Sequence, residues 1–447
     1  MHSIASRFKV GVERYLPDAF VFAILLTIVA YLMGVFLTDA GPFQMIEYWY
    51  NGFWGFLAFA MQMVVILVAG YCLAIAPIVQ RGIKRLAKIP NNPGNAVMST
   101  VLVSGAASFI NWGFGLILGP IFARELAKNI KDIDYRVLIA AAFCGAMAML
   151  PASISLTAPL LVNTPGHFLE DSIGLIPLSQ TIFSTQMLFP ALVSVIIFAF
   201  LFKKMHPSKD ETVAFEEKFP ANQSNQTEEE TAATAEVQAE TIAEKMDRSK
   251  LLNYIIVIGG LSWVIYYFAT KGFDLNLDFT NFMLIMVGMA LHGSPKNYFN
   301  AVKKAITATA GIVIQFPFYA GIMGMMASSG LIVLIANWFV SFSTEVTLPL
   351  FAFIAACIVN IFVPSAGGQW AVQGPIMIEA AKSLNVDPAV MVNAVAIGDV
   401  TTNMFQPFWA LPALGIAGLG IRDIWGYCLV AMIIYFIIAS ISMILFI

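Results

Sequence analysis

Long apolar runs separated by short polar segments dominate the chain. Apolar runs lie near residues 18–38, 53–79, 137–163, 183–202, 251–270, 279–293, 305–329, 389–418 and 424–447. A helix needs about 20 apolar residues to cross a bilayer, so this pattern predicts an all-α polytopic membrane protein with about nine transmembrane helices.

Two further apolar stretches, 95–127 and 347–381, are interrupted near their middles. The first breaks at the motif from Ser108 to Gly113, and the second at the motif from Pro364 to Gln369. Each half has about 13 residues, fewer than a spanning helix needs. We therefore predict two re-entrant hairpins.

Charges set the orientation of these elements. Clusters of Lys and Arg stand on both sides of the first hairpin, at 81–88 and at 124–136, so both its ends are expected in the cytoplasm. With the N-terminus inside, all of the 24 Lys and Arg residues except Lys271 and Lys382 fall on the cytoplasmic side. The C-terminus is then predicted to be periplasmic.

Two of the spanning runs, 137–163 and 389–418, contain helix breakers and polar side chains. The second carries Gly398, Asp399 and Pro407 at its centre. A charged group at bilayer depth costs at least about 2.5–3.5 kcal/mol, and freed backbone is tolerated there only inside protein or beside a cavity. We interpret both runs as broken helices that contribute to a transport site.

The two halves of the chain repeat one another. Gln62 and Gln315, and likewise Gly145 and Gly398, stand at matching places in the two halves. An odd number of crossings separates the two units, so they are predicted to be inverted repeats, which are typical of secondary transporters. The predicted units are a first repeat 1–202, a disordered cytoplasmic linker 203–250, a connecting helix 251–278 and a second repeat 279–447. We interpret Gln62 and Gln315 as packing groups, with a ligand role as the alternative.

Composition supports the membrane assignment and limits the kinds of binding partner to expect. The chain is 59% hydrophobic and 11% charged, with a mean hydropathy of +0.80, whereas soluble domains carry about 25% charged residues. No basic aromatic surface suggests nucleic acid, so membrane lipid and a small substrate are the expected partners. We expect no cofactor.

Hydroxyl, amide and backbone groups at the four breaks form the predicted site. The candidate substrate-binding residues are Ser108, Asn111, Trp112, Ser153, Ser155, Ser365, Gly367, Gly368, Gln369, Thr402, Asn403 and Gln406. The candidate cation ligands, for Na⁺ or for proton coupling, are Asp399, Thr401, Asn111 and Ser365. Hard oxygen ligands suit Na⁺, and helix N-termini at the same breaks suit a carboxylate.

The absence of Lys and Arg from the middle of every span limits the substrate. An anion would depend on helix N-termini, hydroxyls and amides, which favours a small monocarboxylate over a dicarboxylate or tricarboxylate. Aromatic residues near the breaks could enclose a short alkyl chain; they are Trp112, Phe114, Trp370, Phe405, Phe408 and Trp409.

The motifs of both halves resemble the bacterial short-chain fatty acid transporter family of the AtoE type. The resemblance rests on the runs 108–113, 364–370, 373–375 and 398–409, and it covers nearly the whole chain outside the linker. It implies an inner-membrane symporter of acetoacetate or butyrate within the ion-transporter superfamily. Inverted repeats, homodimers and elevator-type alternating access are what that superfamily implies.

Three other functions are compatible with parts of this pattern. An ion-coupled carrier of a different small organic anion, such as a dicarboxylate or an amino-acid derivative, is the main alternative. An intramembrane aspartyl protease needs two carboxylates that share a proton, and Asp399 is the only acid in the middle of a span. A channel fits the two broken helices less well than alternating access does. We therefore expect a carrier and not an enzyme.

Overall fold

The computed structural model describes residues 19–208, 212–213, 241–363 and 365–446. Within these ranges all regular secondary structure is helical, as the apolar pattern predicts. Helices satisfy their own backbone N–H and C=O groups, which lipid cannot do. The expectations for the cytoplasmic N-terminal segment, for Pro364 and for most of the linker concern positions outside the described residues.

The first half contains ten α-helices among its described residues. They are α1 Ala19–Leu37, α2 Pro42–Gly52, α3 Leu57–Ala74, α4 Pro77–Leu86, α5 Pro93–Ile110, α6 Trp112–Asn129, α7 Tyr135–Met149, α8 Thr157–Val162, α9 Glu170–Ile173 and α10 Thr185–Met205. Proline stands in the first turn of α2, α4 and α5, where its missing N–H is tolerated.

The rest of the described chain continues in the same manner. Its helices are α11 Ile242–Asp247, α12 Lys250–Lys271, α13 Leu277–His292, α14 Pro295–Ala305, α15 Ala310–Ser328, α16 Leu331–Phe342, α17 Leu348–Phe362, α18 Ala366–Ser383, α19 Pro388–Asn403, α20 Pro407–Ala417 and α21 Ile421–Leu445. Short 3₁₀ turns at Leu150–Ala152 and Ile306–Thr309 join neighbouring helices.

The second half repeats the helix order of the first. The 11-residue helices α2 and α14 occupy equivalent places and both begin with proline, although neither was expected because both are too short and too polar to span. The packing is also equivalent: α1 of the first half packs on α15 of the second, and its counterpart α13 packs on α3, the counterpart of α15. The opposite orientation of the two units stays a prediction.

Both interrupted stretches form helical hairpins. The tip residue Asn111 separates α5 from α6, and Gly115 and Gly119 of α6 face Ser108 and Ser104 of α5, which makes the two helices antiparallel. The halves are longer than the expected length: α5, α6 and α18 each have 18 residues and α17 has 15. The helices exceed the apolar runs because polar caps such as Asn92 extend them. The antiparallel packing of α5 and α6 nevertheless brings the end of α6 back beside the start of α5.

The runs 137–163 and 389–418 are broken helices, as predicted. The first ends at Met149 and resumes at Thr157, and the second ends at Asn403 and resumes at Pro407. The paired glycines allow each broken helix to touch its own hairpin: a Cβ on Gly145 would lie 2.7 Å from the Val101 carbonyl oxygen, and one on Gly398 would lie 2.5 Å from that of Phe353. These contacts join each hairpin to the broken helix that follows it.

Eight helical segments in the described part of the chain are long and apolar enough to cross a membrane. This number includes Pro93–Ile110 of the first hairpin and leaves out two of the predicted spans, the 16-residue helix α13 and the broken helix α19–α20. In the most apolar window of the segment 135–162, 94% of residues are buried, against 17% for the segment 242–271 that contains α12. The first broken helix is therefore central and α12 is peripheral.

The linker boundaries differ from the predicted range 203–250. Lys203 and Lys204 belong to the last turn of α10, where cationic side chains favour the helix C-terminus. At the other end, Thr241 and Glu244 form a capping box that starts α11. In between, the described residue Val213 donates its N–H to Asp134 Oδ2 at 3.0 Å, which fixes this part of the linker to the start of α7.

Candidate functional site

A cavity of about 480 Å³ lies where α3, α6, α15 and α20 meet the start of α18. Aliphatic and aromatic side chains form most of its wall. The polar side chains with a hydroxyl or an amide that line it are Tyr71, Thr157, Gln315 and Ser365. Among the described residues that line this cavity, none is charged. Any anion held here would depend on neutral donors.

The tip of the second hairpin presents a helix N-terminus to the cavity. Ser365 is the N-cap of α18 and accepts the Gly368 N–H at 3.3 Å, and Ser365, Ala366 and Gly367 all line the cavity. The first amides of a helix have no intrahelical acceptor, so those of Ala366 and Gly367 are available to a ligand. A Cβ on Gly367 would lie 3.0 Å from the Phe316 ring, so glycine lets the tip pack closely against α15.

The tip of the first hairpin presents a second N-terminus. Trp112 and Gly113, the first residues of α6, also line the cavity. Their N-cap, Asn111, is fully buried; its Oδ1 accepts the Phe114 N–H at 2.8 Å and its Nδ2 donates to the Ile66 carbonyl oxygen at 3.2 Å. Asn111 therefore fixes the tip against α3 instead of facing the cavity.

The predicted serines of the first half join the hairpin to the broken helix. Ser155 Oγ accepts the Trp112 N–H at 2.9 Å and lies 3.0 Å from Ser153 Oγ. Ser153 in turn donates to the Phe109 carbonyl oxygen at 3.4 Å. The buried Ser108 hydroxyl has no hydrogen-bond partner among the described residues and lies beside Gly115. None of these three serine side chains helps to line the cavity.

A second buried polar cluster lies where α17 meets the break between α19 and α20. Asp399 is 2% exposed; its Oδ2 accepts a hydrogen bond from Asn403 Nδ2 at 2.8 Å, whereas its Oδ1 has no partner in the described part of the chain. Asn360 Nδ2 donates to Asn403 Oδ1 at 2.6 Å and to the Asp399 carbonyl oxygen at 2.7 Å. Gln406 Nε2 donates to the Asn360 carbonyl oxygen. No cationic side chain pairs with Asp399 within the described ranges.

The remaining predicted residues of the second half make contacts between or within helices. Thr401 donates to the Ile397 carbonyl oxygen one turn earlier at 2.7 Å, and Thr402 donates to the Cys357 carbonyl oxygen at 3.1 Å. Gln369 Nε2 donates to the Ala356 carbonyl oxygen at 3.0 Å. These contacts hold α17, α18 and α19 together.

The structure thus separates the predicted residues into distinct groups. Trp112, Ser365 and Gly367 line the cavity, and the predicted cation ligands Asp399, Thr401, Asn111 and Ser365 make no hydrogen bond to one another in the described ranges. The Asp399 carboxylate instead contacts Asn403, and Asn360, which donates to Asn403 and to the Asp399 backbone oxygen, was not predicted. Its signal in the sequence is a lone amide within the apolar half-hairpin 348–362.

Two of the aromatic residues proposed to enclose an alkyl chain line the cavity, Trp112 and Trp409. The rings of Trp112 and Trp409 lie 5.5 Å apart at 70°. Trp370 is fully buried away from it, and Phe405 stacks on Trp425 at 4.8 Å. The Phe408 side chain lies outside the described part of the structure.

Comparison with known proteins matches nearly the whole chain to one family. A family model described as short chain fatty acid transporter matches residues 1–446. A relative from Haemophilus influenzae, provisionally named a short-chain fatty acid transporter, is 40% identical over 97% of both chains. A relative from Escherichia coli K12 with the same provisional name is 38% identical over 97% of both chains.

Two solved structures share the fold at low sequence identity. The YdaH transporter of Alcanivorax borkumensis superposes with a TM-score of 0.62 at 15% identity, covering 96% of this chain and 98% of that one. MtrF of Neisseria gonorrhoeae, described as one of a class of antimetabolite efflux pumps, gives a TM-score of 0.53 at 14% identity, covering 96% of this chain and 94% of its own. At these identities the likeness concerns the fold alone.

Proposed function

We propose that this chain, which belongs to the short-chain fatty acid transporter family, carries monocarboxylates such as butyrate or acetoacetate across the bacterial inner membrane by cation-coupled alternating access. The observation that carries the proposal is the uncharged cavity to which two helix N-termini and several neutral polar side chains contribute. Each helix N-terminus is equivalent to roughly half a positive charge. Together they suit one carboxylate.

The chemistry of the cavity supports a short alkyl chain attached to that carboxylate. Its volume of about 480 Å³ falls within the range of small-molecule sites, roughly 300–1,000 Å³. Trp112 and Trp409 supply apolar surface close to the N-terminus of α6. A second carboxylate would be buried among these rings without a cationic partner, which is strongly unfavourable.

Asp399 is the proposed coupling residue. A carboxylate with one unpartnered oxygen in a buried amide cluster is suited to take up a cation, either a proton or Na⁺. Asn403 donates to its carboxylate and Asn360 in turn holds Asn403, whereas the predicted ligands Thr401, Asn111 and Ser365 make no hydrogen bond to it. The alternative of an aspartyl protease gains no support, because no second carboxylate contacts Asp399 within the described ranges and the family is one of transporters.

The proposed motion is of the elevator type. The contacts at Gly145 and Gly398 join each hairpin to its broken helix, so these elements can move as a unit. The cavity lies between the two hairpin tips and helices α3 and α15, which belong to the proposed static scaffold and dimer-forming part. Inverted repeats, with a cytoplasmic N-terminus and a periplasmic C-terminus, complete the proposal.

Uptake of radiolabelled butyrate into proteoliposomes tests this function. Protonated butyric acid crosses lipid unaided, so the assay is run at neutral pH beside protein-free liposomes of the same lipid. We expect protein-dependent uptake under an imposed Na⁺ or proton gradient, with competition by acetoacetate and little by succinate. Equal uptake by protein-free liposomes would contradict carriage, and stronger competition by succinate or an amino-acid derivative would favour a different organic anion.

A further inference from the structure

Gln315 is a buried amide on α15, in the wall of the cavity. It stands in the second turn of α15 and is 5% exposed. Its Oε1 accepts a hydrogen bond from the Tyr319 hydroxyl at 3.2 Å. Its Nε2 has no hydrogen-bond partner among the described residues. Two amide N–H groups are therefore available at the wall of an uncharged cavity.

The equivalent residue of the first half has a different environment. Gln62 lies on α3, where its side-chain Nε2 donates to Asp278 Oδ1 at 2.7 Å. The backbone carbonyl oxygen of Gln62 accepts a hydrogen bond from Asn281 Nδ2 at 3.0 Å. Gln62 thus holds α3 to α13, and it does not line the cavity. Of the two glutamines at matching positions, Gln315 is the one whose Nε2 has no acceptor among the described residues.

A packed network orients the Gln315 amide. Tyr319, one helical turn away, is fully buried, and its ring lies against Gly368 of α18. A Cβ on Gly368 would lie 2.5 Å from the ring, so this glycine makes room for Tyr319. Because the hydroxyl of Tyr319 occupies Oε1, the Nε2 donors are left for a ligand.

We propose that Gln315 is a substrate-binding residue whose Nε2 donates to the carboxylate held at the N-terminus of α18, and that Tyr319 is its positioning residue. This inference rests on the proposed function and assigns carboxylate recognition to a neutral donor on the scaffold side of the cavity. A donor pair with no charge favours a single carboxylate over both a neutral isostere and a dicarboxylate.

Substitutions at Gln315 test the assignment through affinity and discrimination. Gln315→Leu keeps the approximate volume and removes the donors; we expect KM for butyrate to rise roughly tenfold or more, with Vmax little changed, because a hydrogen bond to a charged group is lost. Gln315→Glu places a carboxylate against the substrate carboxylate and should abolish saturable uptake. Tyr319→Phe should raise KM by a smaller factor, and Gln62→Leu, the matched control, should leave KM unchanged.

Competition with butyramide, the neutral isostere of butyrate, separates recognition from structural damage. The wild type should bind butyrate more tightly than butyramide, and Gln315→Leu should remove most of that preference. Equal weakening of both compounds, an unchanged KM in Gln315→Leu, or retained uptake in Gln315→Glu would overturn the inference while leaving the carrier function intact. Failure of the wild type to take up butyrate would overturn both.

Discussion

Asp134 and Asp399, the two buried aspartates among the described residues, differ in their partners, and neutralising each should have opposite consequences. Asp134, at the start of α7, accepts backbone N–H groups from Arg136 at 2.9 Å, Val137 at 3.1 Å and Val213 at 3.0 Å, and its Oδ2 pairs with Arg136 Nη2 at 2.6 Å. Asp399 accepts one side-chain hydrogen bond and leaves Oδ1 unpartnered. Asp134 is therefore structural, and Asp399 is available for cation coupling.

Asp399→Asn should affect transport far more than stability. The carboxylate costs at least about 2.5–3.5 kcal/mol at bilayer depth, and an unsatisfied neutral amide in its place costs about 1–3 kcal/mol. The two costs nearly cancel, so we expect the free energy of unfolding to change by less than about 2 kcal/mol. Gradient-driven butyrate uptake should be lost, because the side chain can no longer take up a cation, whereas butyrate exchange without a gradient should persist.

Asp134→Asn is the matched control. It removes the charge from a fully partnered carboxylate whose Arg136 side chain is 20% exposed, so we expect a loss of roughly 1–3 kcal/mol of stability after allowing for solvent screening. Uptake per folded molecule should be retained. Thermal unfolding in detergent, read by size-exclusion chromatography, is compared with gradient-driven uptake and exchange for both variants. The reasoning is refuted if Asp399→Asn unfolds as readily as Asp134→Asn, or if it keeps gradient-driven uptake.

Two further predictions concern packing and acid stability. Gly398→Ala should destabilise the protein by about 1–3 kcal/mol or more, because the added Cβ would lie 2.5 Å from Ala356 Cβ and from the Phe353 carbonyl oxygen. In the control Gly82→Ala, the added Cβ meets no atom within 4 Å. That variant should be neutral or slightly stabilising in thermal unfolding. Burial lowers the pKa of His167 below its ordinary value of about 6.5, and its neutral ring accepts the Leu169 N–H and donates to the Gly174 carbonyl oxygen. Between the lowered pKa and about 6.5, the unfolded chain binds more protons than the folded protein, so stability should fall as pH falls through this window. His167→Gln should flatten the pH dependence of the melting temperature. An unchanged slope would contradict a buried, neutral His167 in the folded protein.

The sequence predicted the breaks in the helices because breaks are encoded locally. Proline without an N–H, glycine, and polar caps such as Asn111 and Ser365 stop or start helices wherever they occur. The hairpins and the broken helices could therefore be placed to within a few residues. The 11-residue helices α2 and α14 were missed because a short helix with mixed polarity gives no hydropathy signal.

The direction of each polar side chain could not be predicted, because it depends on how helices pack against one another. Thr401 and Thr402 adjoin Asp399 in the sequence, yet both donate to backbone carbonyl oxygens. Asn360 lies far from Asp399 in the sequence and contacts its backbone, and Gln315 faces a cavity that exists only once α3, α6, α15 and α20 are assembled. Sequence spacing marks where polar groups are frequent, whereas tertiary packing decides which of them meet.

The two repeats share a helix order but differ in how their polar side chains are hydrogen-bonded. In the first half, Asn111 donates to the Ile66 carbonyl oxygen, Ser155 accepts the Trp112 N–H, and Gln62 donates to Asp278. In the second half, the position that matches Ala146 carries Asp399, and both Asp399 Oδ1 and Gln315 Nε2 lack protein partners in the described ranges. A group that must bind and release a ligand in every cycle cannot also be saturated by the protein, because each exchange would then leave a buried polar atom unsatisfied. The unsaturated Asp399 Oδ1 and Gln315 Nε2 therefore favour the second half as the one whose side chains exchange cation and substrate.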